Sequence, residues 1–219
     1  MSVPLVHRLC SALVQRAWAF AETYGRVSAA RPGPYRFARL GEGACFAFPP
    51  GAVFGERAIA IGAGTLVGAQ VSISAGFFGP GQQPEPGLVV RIGARCCVGR
   101  GSHIVGHGSV TIGDDVFLGP YVYVTDQNHT YTDPDTPVGS QPPANSPVVI
   151  GDGCWLGTGA IVLPGTTLGR NVVVAGGAVV RGTFPDHCVV AGVPARVVRR
   201  YLPGEGWLKD PSTHARSVT

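Results

Sequence analysis

Residues 148–180 read VVIGDGCWLGTGAIVLPGTTLGRNVVVAGGAVV, and an aliphatic side chain returns at every sixth position: Ile150, Leu156, Val162, Leu168, Val174 and Val180. The same period runs upstream through Ile61, Val67, Ile73, then Ile92, Val98, Ile104, then Ile112, Leu118, Val124. Four residues after these positions the side chain is small: Thr65, Val71, Cys96, Ser102, Val116, Val122, Cys154, Ala160, Thr166, Val172 and Ala178. Nine of the fifteen aliphatics are followed by glycine, which admits the backbone geometry of a tight corner. A six-residue period is too short for a helical repeat and fits one short strand plus one corner. Three hexads make an 18-residue triangular coil, and stacked coils pair their strands in parallel about 4.8 Å apart around a continuous core. The sequence therefore predicts an all-β fold, a parallel β-helix. Cys96 and Cys154 fall on inward corners and are expected in the core rather than as nucleophiles.

The bulk composition agrees. The chain has 219 residues, 45% hydrophobic and only 14% charged, with 33 glycines and 19 prolines. So much glycine and proline without a period indicates disorder; here the glycines are periodic. The net charge of +4 is too mild to point to a nucleic-acid partner. Sixteen of the 17 basic residues are arginine, Lys209 being the single lysine. The six cysteines form no CxxC pair, so a zinc knuckle is not expected. No apolar run reaches transmembrane length, and Arg8 and Arg16 interrupt any signal-peptide layout; a cytoplasmic location is the expectation.

The repeat breaks three times, after Ile73, Ile104 and Val124, always behind the third aliphatic of a coil. The inserted loops, 74–91 and 125–149 being the long ones, are expected to leave from one edge of the prism. Loop 125–149 is polar, proline-rich and carries His129, which marks it as the active-site loop. The expected organisation is a helix and linker over 1–40, the β-helix over 41–201, and a tail over 202–219. Leu5, Leu9, Leu13, Ala17 and Phe20 have helical spacing and predict an amphipathic helix that caps the first coil. An incomplete first coil is expected around Phe48 and Phe54.

Residues 110–129 (VTIGDDVFLGPYVYVTDQNH), 148–180 and 191–199 (AGVPARVVR) together resemble the hexapeptide-repeat acyltransferases, in the branch of the maltose, galactoside and cell-surface saccharide O-acetyltransferases. The resemblance covers roughly residues 50–200. It implies a left-handed helix and a homotrimer with active sites between subunits. It also implies CoA-dependent transfer of an acyl group, acetyl by default, to a hydroxyl of a sugar or polysaccharide. His129 matches the family's catalytic histidine, whose imidazole takes the acceptor's proton for direct attack on the thioester. Trp155 and Thr158 match the active-site wall and the oxyanion donor. Thr158, Gly176, Arg181, Arg196 and Arg199 match the acyl-CoA site, where arginines suit the phosphates. Asn128, Ser102 and His103 are candidates for acceptor contacts. The chain departs from the pattern at Gly99, where an asparagine often contacts the acceptor, and at Arg181-Gly182, where Thr-Lys is common. Loop 75–89 offers room for a longer acyl chain. No resident metal is expected. Two other readings share the fold: a γ-carbonic-anhydrase-like metalloenzyme, for which His103, His107 and His129 are available, and a non-enzymatic scaffold.

Overall fold

The computed structural model describes residues 4–76 and 87–210. The middle of loop 74–91, including most of the stretch read as room for an acyl chain, lies outside the described residues, as does the tail beyond Asp210.

Leu5–Tyr24 is one α-helix, and the chain after it winds into a triangular parallel β-helix. Each coil contributes one short strand to each of three faces. The first face stacks Arg39–Leu40, Ile59–Ile61, Val90–Ile92, Val110–Ile112, Val148–Ile150, Thr167–Leu168 and Thr183–Phe184. The second stacks Cys45–Phe46, Leu66–Val67, Cys97–Val98, Phe117–Leu118, Trp155–Leu156, Val173–Val174 and Cys188–Gly192. The third stacks Val53–Phe54, Ser72–Ala75, His103–Gly106, Tyr123–Thr125, Ile161–Val162 and Val179–Val180. All pairings within these three stacks are parallel, and the register puts one repeat aliphatic directly on the next, as Leu118 on Leu156 and Leu156 on Val174.

All fifteen repeat aliphatics are buried, and so are the eleven small corner residues. Two-residue strands hold because each is hydrogen-bonded on both sides: the Gly113 amide donates to the Ile150 carbonyl at 2.8 Å, and the Gly151 amide to Leu168 at 2.9 Å. The corner between the first and second faces is a column of glycines. A Cβ on Gly62 would stand 2.4 Å from the backbone of Gly93, and one on Gly93 would stand 2.3 Å from the Gly113 carbonyl oxygen. Carboxylates stitch the same corner: Ala94 donates its amide to Asp114 and Asp114 its amide to Asp152, both at 2.8 Å, and Arg170 donates its amide to Asp186 at 2.9 Å. Polar side chains on inward corners are satisfied by neighbouring backbone, as Thr65 donating to the Gly93 carbonyl at 2.7 Å.

The second face is closed at both ends by reversed strands. Val27–Ser28 pairs antiparallel with Cys45–Phe46, while Ala195–Leu202 and then Gly206–Lys209 add antiparallel to Cys188–Gly192. Arg200 holds the buried Asp210 there at 2.6 Å.

One reading of the N-terminal region is corrected. The helix forms, but it buries no residue, and Leu9 and Leu13 stand 62% and 70% exposed. It meets the body at its C-terminal end, where Trp18 packs on Phe48 with ring centroids 5.9 Å apart, so it does not cap the first coil. The first coil runs around Phe48 and Phe54, with strands Arg39–Leu40, Cys45–Phe46 and Val53–Phe54; its inward aromatic is Phe46, which stacks on Phe37 at 5.3 Å, while Phe54 stays exposed.

Candidate active site

The insertions after Ile73, Ile104 and Val124 all leave from the corner between the third and first faces. The longest forms a hairpin in which Gln127–His129 pairs antiparallel with Pro143–Asn145. Its tip is tied by the buried Gln141, whose amide donates to the carbonyls of Asp133 and Thr136 at 2.9 and 2.8 Å and accepts from the Asp133 amide at 3.2 Å. Thr130 donates to the Pro142 carbonyl at 2.6 Å. The hairpin therefore presents Asn128 and His129 as exposed side chains on an ordered ribbon, and the Asn128 side chain accepts the His129 amide at 3.0 Å.

The root of the hairpin is Asp126, which is completely buried. Its carboxylate accepts the amides of His107, Gly108 and Ser109 at 2.8, 2.8 and 2.6 Å, locking the turn of the preceding coil beneath the hairpin. The His107 ring is half-buried and its Nδ1 has no partner. Burial is the main cause that holds this imidazole below its ordinary pKa; Asp126 opposes the shift and His129 adds to it, which sets His129 within electrostatic reach of His107. Sequence reasoning passed over Asp126 because one aspartate at the start of a polar loop carries no signal of its own. Its place directly after the last inward aliphatic, Val124, and Thr125 was the only hint.

The second cluster lies across the prism. Trp155 points out from the second face between Phe117 and Val173 and is half exposed. Thr158 and Gly176 stack on the corner between the second and third faces; the Gly177 amide donates to the Thr158 carbonyl at 2.9 Å, and a Cβ on Gly176 would meet that oxygen at 3.2 Å. From Trp155 the outward row continues through Val173 and Val189 to Arg199, about 14 Å for three rungs. The register shift between Val189 and Val190 marks a bulge at Val198, so Arg196 faces the outward Ala191 and Arg199 the outward Val189. A regular strand would have sent these two arginines to opposite sides. Arg181 is exposed but sits at the other end of the third face, on the corner of the insertions.

Within one chain the candidate residues thus form two groups. Trp155, Thr158, Gly176, Arg196 and Arg199 lie on the second face and the corner beyond it. His129, Asn128 and Arg181 lie on the opposite edge of the third face. His103 points out from the third face, paired between Ser72 and Tyr123. Ser102 is a different case: it is fully buried, donating to the Gly119 carbonyl at 3.2 Å and accepting the Val122 amide at 3.1 Å, so it has no surface to offer an acceptor. Gly99 belongs to a glycine stack, and a Cβ there would stand 2.4 Å from the Gly119 carbonyl carbon. Cys96, Cys154 and Cys188 are buried with thiols pushed up by burial, Cys154 to about 11. Among the described residues no three His, Cys, Asp or Glu side chains gather closely enough to hold a metal, and no helix is long and apolar enough to cross a membrane.

Comparison with known proteins agrees with this geometry. Residues 147–182 match the bacterial transferase hexapeptide (six repeats) family, and residues 89–126 match the hexapeptide repeat of succinyl-transferase. The putative lipopolysaccharide biosynthesis O-acetyl transferase WbbJ of Escherichia coli (strain K12) is 42% identical over 106 residues, 45% of this chain and 54% of that protein. The galactoside O-acetyltransferase of the same organism is 32% identical over 126 residues, 52% of this chain and 59% of that protein. The chain spans about half the length of the curated relatives it matches. Among solved structures, a galactoside acetyltransferase in complex with coenzyme A superposes with TM-score 0.51 and 26% identity, covering 75% of this chain and 65% of that one. AntD, an N-acyltransferase from Bacillus cereus, superposes with TM-score 0.61 at 16% identity over 74% of this chain and 82% of that one, a likeness of fold alone. The fold is the left-handed parallel β-helix of these proteins.

Proposed function

We propose that this chain, a member of the hexapeptide-repeat transferases, is an acyltransferase that carries an acyl group, acetyl by default, from acyl-CoA to a hydroxyl of a saccharide. The names of the relatives support the reaction class. The observation that carries the reading is the split of the candidate residues between two edges of one face. His129 on its hairpin and the Trp155–Thr158–Gly176 wall cannot meet in one chain, whereas a cyclic trimer brings one edge of each copy to the other edge of its neighbour. A closed ring with a heterologous interface has this property.

In that arrangement acyl-CoA lies along the second face. Arg196 and Arg199 take its phosphates, the bare backbone at Gly176 lets the pantetheine arm pass, and the thioester ends near Trp155. The roughly 14 Å row from Trp155 to Arg199 suits an extended ligand with its charge at one end. His129 accepts the proton of the acceptor hydroxyl, and the freed oxygen attacks the thioester carbonyl. Thr158 donates to the oxyanion that forms. The intermediate then collapses: the C–S bond breaks, the proton passes from His129 to the CoA sulfur, and ester and free CoA leave. No acyl-enzyme is needed, and positioning of both substrates supplies much of the acceleration.

Acetyl-CoA binding by calorimetry and transfer to a saccharide panel test this. His129→Ala is expected to keep acetyl-CoA binding and lose about 10²–10⁴-fold in turnover. Mixing His129→Ala with Thr158→Ala subunits is expected to restore part of the activity, since some interfaces then hold both intact residues. A folded protein that ignores millimolar acetyl-CoA, or a His129→Ala variant with full turnover, overturns the reading.

A further inference from the structure

The first face holds a second, separate feature. Its outward row runs Arg39, Ala60, Arg91, Thr111, Val149, Thr167, Thr183 in register. The only two charges in the row flank its smallest residue. A groove of about 440 Å³ opens there, lined by both arginines with Ala38, Ala60, Ala63 and Leu88. Two rungs separate Arg39 from Arg91, about 9.6 Å along the row, and both side chains rise exposed from the same side of the sheet. Arginine stems are long enough for both guanidinium groups to reach one ligand group above Ala60.

The arginines are also unspent. Arg95, Arg170 and Arg200 each have an aspartate, at 2.7, 3.1 and 2.6 Å. Among the described residues Arg39 and Arg91 have neither an ion pair nor a side-chain hydrogen bond. Among the described residues the one carboxylate on the groove, Asp114, is already committed to the Ala94 amide at 2.8 Å and to Arg95 at 3.3 Å. Two planar donors without a partner among the described residues, on either side of an alanine floor, match a group with two negative charges and several acceptor oxygens. The apolar floor matches the uncharged body to which that group is attached.

We propose that this groove binds a phosphate- or diphosphate-bearing ligand, with Arg39 and Arg91 on the phosphate and the body of the ligand against Ala60 and Leu88. It lies on the first three coils of the first face, far from Arg196 and Arg199 at the other end of the second. The anion binding does not rest on the acyl-transfer reading.

The test is calorimetry on the full chain in about 0.15 M salt, where weak surface attraction is screened. It is carried out in an Arg196→Ala/Arg199→Ala background, so that the other arginines are silent. The probes are inorganic pyrophosphate, glucose 1-phosphate and UDP. Saturable binding is expected, weakened about tenfold or more by Arg39→Gln and by Arg91→Gln and unchanged by Arg31→Gln. Glucose 1-phosphate binding tighter than pyrophosphate identifies a sugar phosphate as the ligand; UDP binding tighter identifies a nucleotide. No saturation with any probe, or binding indifferent to both glutamine variants, overturns the proposal. A wild-type chain that binds pyrophosphate through Arg39 and Arg91 but ignores acetyl-CoA keeps the groove and loses the acyl-transfer reading.

Discussion

The buried carboxylate of Asp126 holds the backbone of His107: it accepts the His107 amide at 2.8 Å, together with those of Gly108 and Ser109. One side chain thus fixes the turn of one coil and the base of the hairpin that grows from the next. Asp126→Ala leaves three part-buried donors without their partner and is expected to cost about 2–4 kcal/mol, since each lost hydrogen bond costs about 1 kcal/mol. Asp126→Asn keeps one acceptor oxygen and is expected to cost less. Denaturant unfolding of the two variants checks the order; equal stabilities would mean the carboxylate is not the anchor.

His107 gives a pH signature. Its folded pKa lies below its unfolded value, foremost through burial. Above the unfolded imidazole pKa, about 6.5, both states are neutral and the full stability is present. As pH falls below that value, the unfolded chain takes a proton that the folded one refuses, so stability declines. The melting temperature is expected to drop between pH 7 and 5, and His107→Gln is expected to flatten that slope. The aspartates with lowered pKa, Asp115, Asp133 and Asp186, act in the same direction but only below the ordinary carboxylate range, which separates the two effects.

Gly157 and Gly176 are stacked so closely that a Cβ on Gly157 would stand 2.5 Å from the Gly176 nitrogen. Gly157→Ala is expected to force the coils apart at the corner beside Thr158, with a loss of about 1–3 kcal/mol and weaker acetyl-CoA binding. Gly99→Asn is expected to be destabilising for the same reason, because its Cβ meets Gly119. Thermal melts and acetyl-CoA titrations report both.

The thiols offer a simple check on the core. Cys154, raised to about 11, and its buried companions Cys96 and Cys188 are expected to resist iodoacetamide at pH 8 in the native protein, while the exposed Cys10 reacts. Mass spectrometry of the labelled peptides decides it.

The β-helix was legible because a side chain that must pack every six residues leaves a trace no other fold requires. Val124 and Val162 pair in the structure as the period implies. The period also bore on Ser102: its place on an inward corner outweighs its nearness to His103, and the structure buries it. What the period does not encode stayed hidden. The bulge at Val198 that turns Arg196 and Arg199 to one side is a backbone event without a side-chain pattern. The grip of Asp126 on the amides of 107–109 depends on where two insertions stack. The pairing of Arg39 with Arg91 across Ala60 joins residues 52 positions apart, in a coil too irregular to be counted among the hexads. The apolar helix stripe correctly gave a helix, but amphipathicity says only that a face seeks cover, not that this chain supplies it.

A solenoid of identical rungs has no inherent reason to stop, since each finished coil is a template for another. Here the second face ends in chain that runs the wrong way: Val27–Ser28 at one end and the Ala195–Leu202 and Gly206–Lys209 ribbon at the other. A second copy approaching end-on meets a strand of opposite polarity on that face while the other two faces offer parallel edges, so no single register satisfies all three. The reversed strands act as terminators, keeping a structure built from stackable units from growing into a fibre.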